Sequence, residues 1–187
     1  MRRSSSNATS DRSSLRLRPL TPGDEAFLLE MLVAAASWWL SPGEPPPPAA
    51  RLLADPRTAD YVENWGREGD GGVVAEWDGK PVGACWFRRF TAAHPGYGFL
   101  GSHVPGIGFA VRGGFRRRGI GTSLLAATVA MLRESGAPAV GLSVALANDH
   151  ARRLYERAGF EPVGREGGSV TMRLLLHDER PPRGRSG

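Results

Sequence analysis

The sequence predicts a mixed α/β domain, one sheet flanked by helices, in the order strand, helices, three strands, helix, strand, helix, strand. Three observations carry that prediction. The strand-like runs Val73 to Trp77 and Val82 to Phe90 flank Asp78-Gly79, a dipeptide that tight hairpin turns favour. After Gly121, residues Leu124, Leu125, Thr128, Val129 and Leu132 share one face at helical spacing. Val140, Leu142, Val144 and Leu146 then alternate with Gly141, Ser143 and Ala145, the period of a strand with one bulky and one small face.

The other elements follow in chain order. Residues 1–14 are Ser/Arg-rich and residues 177–187 Pro/Arg/Gly-rich, so both are read as disordered tails around a domain spanning residues 15–176. Leu15-Arg16-Leu17-Arg18 alternates as an edge strand does. Pro22-Gly23-Asp24 opens a helix that continues to about Ala36, and Pro42 to Pro48 forms a polyproline-prone connector that cannot be helical. A second helix is expected from Asp55 to Trp65. Thr91 to Pro105 is a long Gly/Pro-punctuated excursion containing His94, Tyr97, Phe99 and His103, and unstructured loops of that length are often functional. Ile107 to Val111 reads as a short buried strand. The helix after Gly121 stops near Ser135-Gly136, another spans about Asp149 to Ala158, and a final strand from Ser169 to Leu176 closes the sheet.

A chain of 187 residues with 41% hydrophobic and 23% charged residues fits one globular domain. The formal charge of +5 suggests nucleic acid until its positions are read. Six arginines and three carboxylates lie in the tails, so the tails hold +3 of it. The body keeps too little to imply a nucleic-acid partner. The single cysteine, Cys85, excludes an internal disulfide and suits a reducing compartment; inside a strand-like run it reads as a buried, inert thiol. The basic N-terminus has no apolar stretch behind it, and Phe27 to Leu40 is interrupted by Glu30 and Ser37 and too short for a bilayer. The expectation is a cytoplasmic protein with no membrane partner.

One stretch calls for a ligand. In "FAVRGGFRRRGIGTSLLAATVAM", Phe109 to Met131, three consecutive arginines meet two glycines where a helix begins. The first N–H groups of a helix are unpaired and its dipole places about half a positive charge there. Gly119 and Gly121 allow a phosphate close to the backbone, and Arg116, Arg117 and Arg118 can donate to the same oxygens. A bound anion would offset the repulsion among the arginines. No Lys-Ser/Thr follows the glycines, which removes the Walker pattern, and Leu124 stands where a dinucleotide fingerprint needs its third glycine. What fits is Arg-x-x-Gly-x-Gly, Arg116 to Gly121. The alternative is a glycine-eased turn with a solvated basic face.

That spacing resembles the acyl-CoA pyrophosphate loop of the GNAT N-acetyltransferase family. A second stretch, "NDHARRLYERAGF" from Asn148 to Phe160, resembles the family's other signature, with Asn148, Ala151, Leu154-Tyr155 and Gly159-Phe160 at matching offsets. The resemblance covers about Leu15 to Leu176. It implies a single domain with a mostly antiparallel sheet whose central strands, ending at Val111 and Leu146, splay apart to admit the pantetheine arm of acetyl-CoA. Acetyl-CoA would be a co-substrate, with no metal. Phe109, Ala110 and Val111 would offer main-chain groups to that arm. Arg116, Arg117, Arg118, Gly119, Ile120, Gly121 and Thr122 would hold the diphosphate, and Asn148 would bond the arm or else cap a helix.

The amine would attack directly, with positioning as the main catalytic contribution. Tyr155 is the expected general acid for the departing thiolate, a phenol near pKa ~10 donating to a sulfur whose conjugate acid lies near ~8.5. Without the resemblance it reads as a core residue. Many relatives carry a carboxylate at the start of the central strand; here the pair is Pro105-Gly106, so that group is missing. Glu76 and His103 are the substitute candidates for the base, and a water relay is a third route. Trp38, Trp39, Trp86, Tyr97 and Phe99 are candidate walls of the acceptor pocket, or core. The function implied is N-acetylation of a primary amine in a small molecule or peptide. The alternatives are a catalytically silent acyl-CoA sensor and, third, a nucleic-acid binder. Homodimers are common in the family, and no stripe in the sequence marks an interface.

Overall fold

The structure, a computed structural model, describes residues 14–41 and 43–177. Residues 1–13 and 178–187, within the stretches read as tails, lie outside the described residues, as does Pro42 of the connector.

Strand β1 (Leu15–Pro19) is the edge strand that its alternation predicted, and α1 (Glu25–Ala36) follows a short 3-10 turn. Thr21 sets the start: its backbone N–H and its hydroxyl both donate to Asp24 Oδ2 at 2.8 Å. Arg18 clamps the same carboxylate through both Nη atoms, at 2.8 and 2.7 Å, and donates from Nε to Glu76 Oε1 at 2.7 Å.

The helix expected from Asp55 to Trp65 is a misreading. The chain instead makes two short helices, α2 (Ala49–Leu53) and α3 (Pro56–Ala59), and then a run of turns through Asn64. Pro56 is the cause. Lacking an N–H, it is at home only in a first turn, so the helix restarts there with Asp55 as its cap, Oδ1 accepting from Arg57 N at 3.0 Å.

Strands β2 (Gly71–Trp77) and β3 (Lys80–Arg88) form the expected hairpin. Asp78 and Gly79 both take left-handed backbone, φ 51° and 74°, as a type I′ turn requires. The remaining elements are β4 (Gly106–Val111), α4 (Ile120–Glu134), β5 (Ala139–Ala145), α5 (Asp149–Arg157), β6 (Glu161–Glu166) and β7 (Ser169–Leu175). The sheet order is β1-β2-β3-β4-β5-β7-β6, antiparallel throughout except between β4 and β5.

Strand β6 corrects the sequence reading, which ended the sheet with Ser169 to Leu176. That strand, β7, lies inside the sheet between β5 and β6. The segment "EPVGRE" gives no alternation to read, because all six residues are exposed and Pro162 and Gly164 bracket a bulge.

Two apolar layers cover the sheet. On one face Leu124 and Leu132 of α4 pack with Cys85, Phe87, Leu142 and Met172 of the sheet, among others; on the other, Leu28 and Met31 of α1 pack with Trp86 and Phe90. The small face of β5 has a use that alternation alone could not reveal. The excursion crosses it: a Cβ on Gly98 would stand 2.6 Å from Leu142 O, and one on Gly141 would stand 3.0 Å from Leu100 Cδ1. A side chain at position 98 would lift the excursion off the sheet, and one at 141 would press on Leu100 and the Gly98 carbonyl.

Arg88, near the end of β3, is 1% exposed. Its Nε donates to Asp70 Oδ1 at 2.8 Å and its Nη2 to Asp70 Oδ2 at 2.5 Å. Its Nη1 donates to the carbonyls of Asp60 and Glu63, at 2.6 and 2.9 Å. The guanidinium thus satisfies carbonyls that the broken helix leaves without partners. No helix among the described residues is long and apolar enough to cross a membrane.

Candidate active site

Strands β4 and β5 meet at one rung, Gly106 opposite Gly141, where Gly141 N donates to the carbonyl of Pro105 at 2.9 Å. Beyond it they part. Arg112 N donates to Val82 O at 2.9 Å, which turns the even-numbered main-chain groups of β4 toward β3 and leaves Phe109 and Val111 facing the gap. Leu146 N donates to Gly168 O at 2.9 Å and fixes the same parity in β5, so Ser143 and Ala145 face the gap from the other side. Ala110 spends its main-chain groups on β3, opposite Ala84.

Val111 leads into a 3-10 turn, Gly113–Phe115, and then the arginine loop. Arg116 Nε reaches back to Val111 O at 3.1 Å and ties the loop to the strand end. Arg117 and Gly119 take left-handed backbone, φ 60° and 78°. For Arg117 that costs about 1 kcal/mol, and the two reversals turn successive N–H groups to one side. None of the six amides from Arg117 to Thr122 donates to an acceptor among the described residues; the first bond of α4 runs from Ser123 N to Gly119 O at 3.1 Å. A Cβ on Gly119 would meet nothing within 4 Å, whereas one on Gly121 would stand 3.1 Å from Phe109 Cζ. Arg116, Arg117 and Arg118 are exposed and none is paired with a carboxylate among the described residues. Arg118 lies over the rings of Trp77 and Phe115, at 5.3 and 5.5 Å. Open donors, a helix N-terminus and three unpaired cations converge, which is the chemistry of an anion site.

Helix α5 brings Tyr155 beneath the gap. Its ring packs edge-on against Phe109, with centroids 6.2 Å apart, and against Phe160 at 5.7 Å. Burial pushes its phenol well above the ordinary range, so the hydroxyl keeps its proton. That hydroxyl makes no hydrogen bond to another described residue. Asn148 acts as a helix cap, Oδ1 accepting from Ala151 N at 3.1 Å.

The other candidates are dispersed. Glu76 sits on β2, two strands from the gap, held by Arg18. His103 is exposed on the loop before β4, its ring beside Gly101. At the start of β4, a Cβ on Gly106 would stand 2.8 Å from Phe90 Cε2, so an aromatic ring fills the space a side chain there would need. Trp86 is fully buried, its indole against Gly108 and its Nε1 donating to Tyr61 O at 3.0 Å. Trp38 and Trp39 meet edge-to-face at 6.1 Å just beyond α1, and Trp39 is 61% exposed. Tyr97 and Phe99 are half-buried against the layer under α1. Burial pushes the Cys85 thiol up to about 12, which leaves it inert.

Sequence reasoning missed a polar cluster around Tyr97. Its hydroxyl donates to Asp55 Oδ2 at 2.6 Å, and Tyr61 Oη donates to the Tyr97 carbonyl at 3.1 Å. Arg57 lies 4.4 Å over the Tyr97 ring and pairs with Glu166. The Asp-Pro dipeptide was the one available signal, a helix start that reads as a cap.

The comparisons with known proteins agree on the architecture. The family model described as acetyltransferase (GNAT) family matches residues 31–160. A ribosomal-protein-alanine N-acetyltransferase from Brucella melitensis is similar over 86% of this chain and 99% of its own, at 23% identity and a TM-score of 0.61. The yncA protein of Salmonella typhimurium, assigned as an acetyltransferase and solved with its cofactor acetyl-CoA, is similar over 91% of this chain and 98% of its own, at 20% identity and a TM-score of 0.64. The GNAT domain of S. lividans PAT is similar over 86% and 90%, at 19% identity and a TM-score of 0.62. No curated protein sequence matches the chain. At these identities the likeness speaks for the fold, and with the family match over more than two thirds of the sequence it is sufficient: the chain belongs to the GNAT acetyltransferase family.

Proposed function

We propose that the chain is an acetyl-CoA-dependent N-acetyltransferase acting on a primary amine. The observation that carries the reading is the run of six acceptorless amides from Arg117 to Thr122, ringed by Arg116, Arg117 and Arg118. A diphosphate supplies the acceptors these groups lack. The main-chain groups of Phe109 and Val111 lead from there along the gap, and Asn148 stands at the far strand's end. The residues present therefore fit this co-substrate, which when bound supplies an acyl carbon already activated as a thioester.

Acyl transfer to an amine forms a C–N bond, breaks a C–S bond, and needs a proton given to sulfur and one taken from nitrogen. Tyr155 Oη holds the first proton, kept there by burial. No carboxylate stands at the start of β4, so the amine arrives as the free base, the proton its nitrogen loses on forming the amide passes to water, and the rate climbs with pH toward the amine's own pKa. Glu76, two strands from the gap and held by Arg18, takes no part.

The crowding at Gly106 also favours a second reading, a silent acyl-CoA-binding module. Calorimetric titration with CoA, followed by release of the CoA thiol across a panel of amines, separates the two; buried Cys85 does not react with the thiol reagent. Turnover on any amine establishes the enzyme. Binding without turnover leaves the module, and no binding removes both.

A further inference from the structure

A groove of about 370 Å³ runs between the excursion and the β6–β7 hairpin, lined by Arg57, Gly98, Leu100, Gly164, Arg165 and Glu166 among others. Its floor begins where Gly98 rests on the peptide after Leu142, one residue beyond the last rung between β4 and β5. Its far end is spanned by Arg57, whose Nη1 and Nη2 donate to Glu166 Oε1 and Oε2 at 2.7 and 3.1 Å.

The two partners are held very differently. Arg57 lies on the Tyr97 ring, its own N–H bonds Asp55, and Asp55 takes the Tyr97 hydroxyl as well. Its Nε is buried without an acceptor. Glu166 has a side chain 56% exposed and precedes the Gly167-Gly168 turn. The Arg57 side chain is 35% exposed but rests on a ring with its Nε buried, whereas Glu166 is held in this groove, among the described residues, by the ion pair alone.

We propose that this groove receives the acceptor and that Arg57 binds a carboxylate the acceptor carries, Glu166 being a placeholder the acceptor displaces. This rests on the N-acetyltransferase reading and names the class of amine. From β5 to β6 is two strand spacings, about 10 Å, which an extended chain of about three residues covers. The acceptor is therefore an amine with a carboxylate at its other end. A planar guanidinium fork suits that group bidentately.

The test reads binding as well as turnover. Triglycine and its C-terminal amide are titrated by calorimetry into the full chain saturated with CoA. The acid binds about tenfold tighter than the amide, the value of one charged hydrogen-bonded contact. Arg57→Gln brings the acid down to the amide, and Arg57→Lys restores part of the difference. Glu166→Gln moves the other way and tightens the acid, because the competitor is gone. Opposite signs at Arg57 and Glu166 are what a merely structural strap does not give. Equal affinity of acid and amide, no binding of either, or the same sign for both substitutions overturns the proposal. Acetyl-CoA consumption in parallel reports on the enzymatic reading separately, since the titration needs no turnover.

Discussion

The arginines of this molecule live in two opposite circumstances. Arg88 is sealed inside, with Nε, Nη1 and Nη2 all spent on Asp70 and on the carbonyls of Asp60 and Glu63. Arg116, Arg117 and Arg118 stand at the surface with no carboxylate paired to them among the described residues and open amides between them. A buried cation must bring its partners along, because desolvation costs several kcal/mol. An exposed one keeps its water until something displaces it. Satisfied charge holds the fold here, and unsatisfied charge marks the proposed ligand site.

The largest effect that would sharpen this contrast is at Arg88. Arg88→Leu leaves the buried Asp70 carboxylate without its cation, held only by the N–H groups of Gly66 and Arg67, and urea unfolding should show a loss of about 3–5 kcal/mol. Arg88→Leu with Asp70→Leu should recover only part of it, because the carbonyls of Asp60 and Glu63 stay without their donor, and a loss under ~1 kcal/mol for the single variant would place the pair among ordinary surface bridges. Next comes Tyr155→Phe, expected to lower kcat about 100-fold while CoA affinity stays put. Steady-state kinetics with calorimetry decides it; unchanged turnover removes the acid.

An intermediate effect is expected at Asp24, where the Arg18 hydrogen bonds hold the carboxyl at about 2 against an ordinary 3.8. The folded value is the lower one, so the stabilisation is fully present above about pH 4 and is lost as pH falls through 2. Asp24→Asn should flatten that part of an acid denaturation curve, and an unchanged limb would show that the clamp contributes nothing. The smallest is the surface triple Arg116→Gln, Arg117→Gln and Arg118→Gln. CoA affinity should drop about tenfold or more, with the urea midpoint unmoved. A triple that lost stability and kept affinity would reverse the comparison.

What could be read in the sequence follows the same division. The exposed arginine turn was legible because its parts are contiguous: a helix start, two glycines and three arginines act locally. The Asp78-Gly79 turn was legible for the same reason. Arg88 was passed over inside an apolar strand, because its partners lie 18 to 28 positions away, two of them in a segment whose helix was itself misread. Glu166 meets Arg57 across 109 positions, and no periodicity encodes such a pairing. Strand β6 owes its place to pairing with β7, not to any pattern of its own. The small face of β5 was seen, but the excursion that needs it was not.

The single stitch between β4 and β5 has a mechanical consequence. The apolar layer beneath them is continuous, taking Val73 and Cys85 from one side and Val144 and Met172 from the other, so one core joins the two halves of the sheet. Their facing edges can still breathe, with Phe109, Val111 and Ser143 unlatched across the slit. A guest lying there serves as the missing rungs of the ladder, and deuterium uptake at those backbone positions is where its arrival would register first.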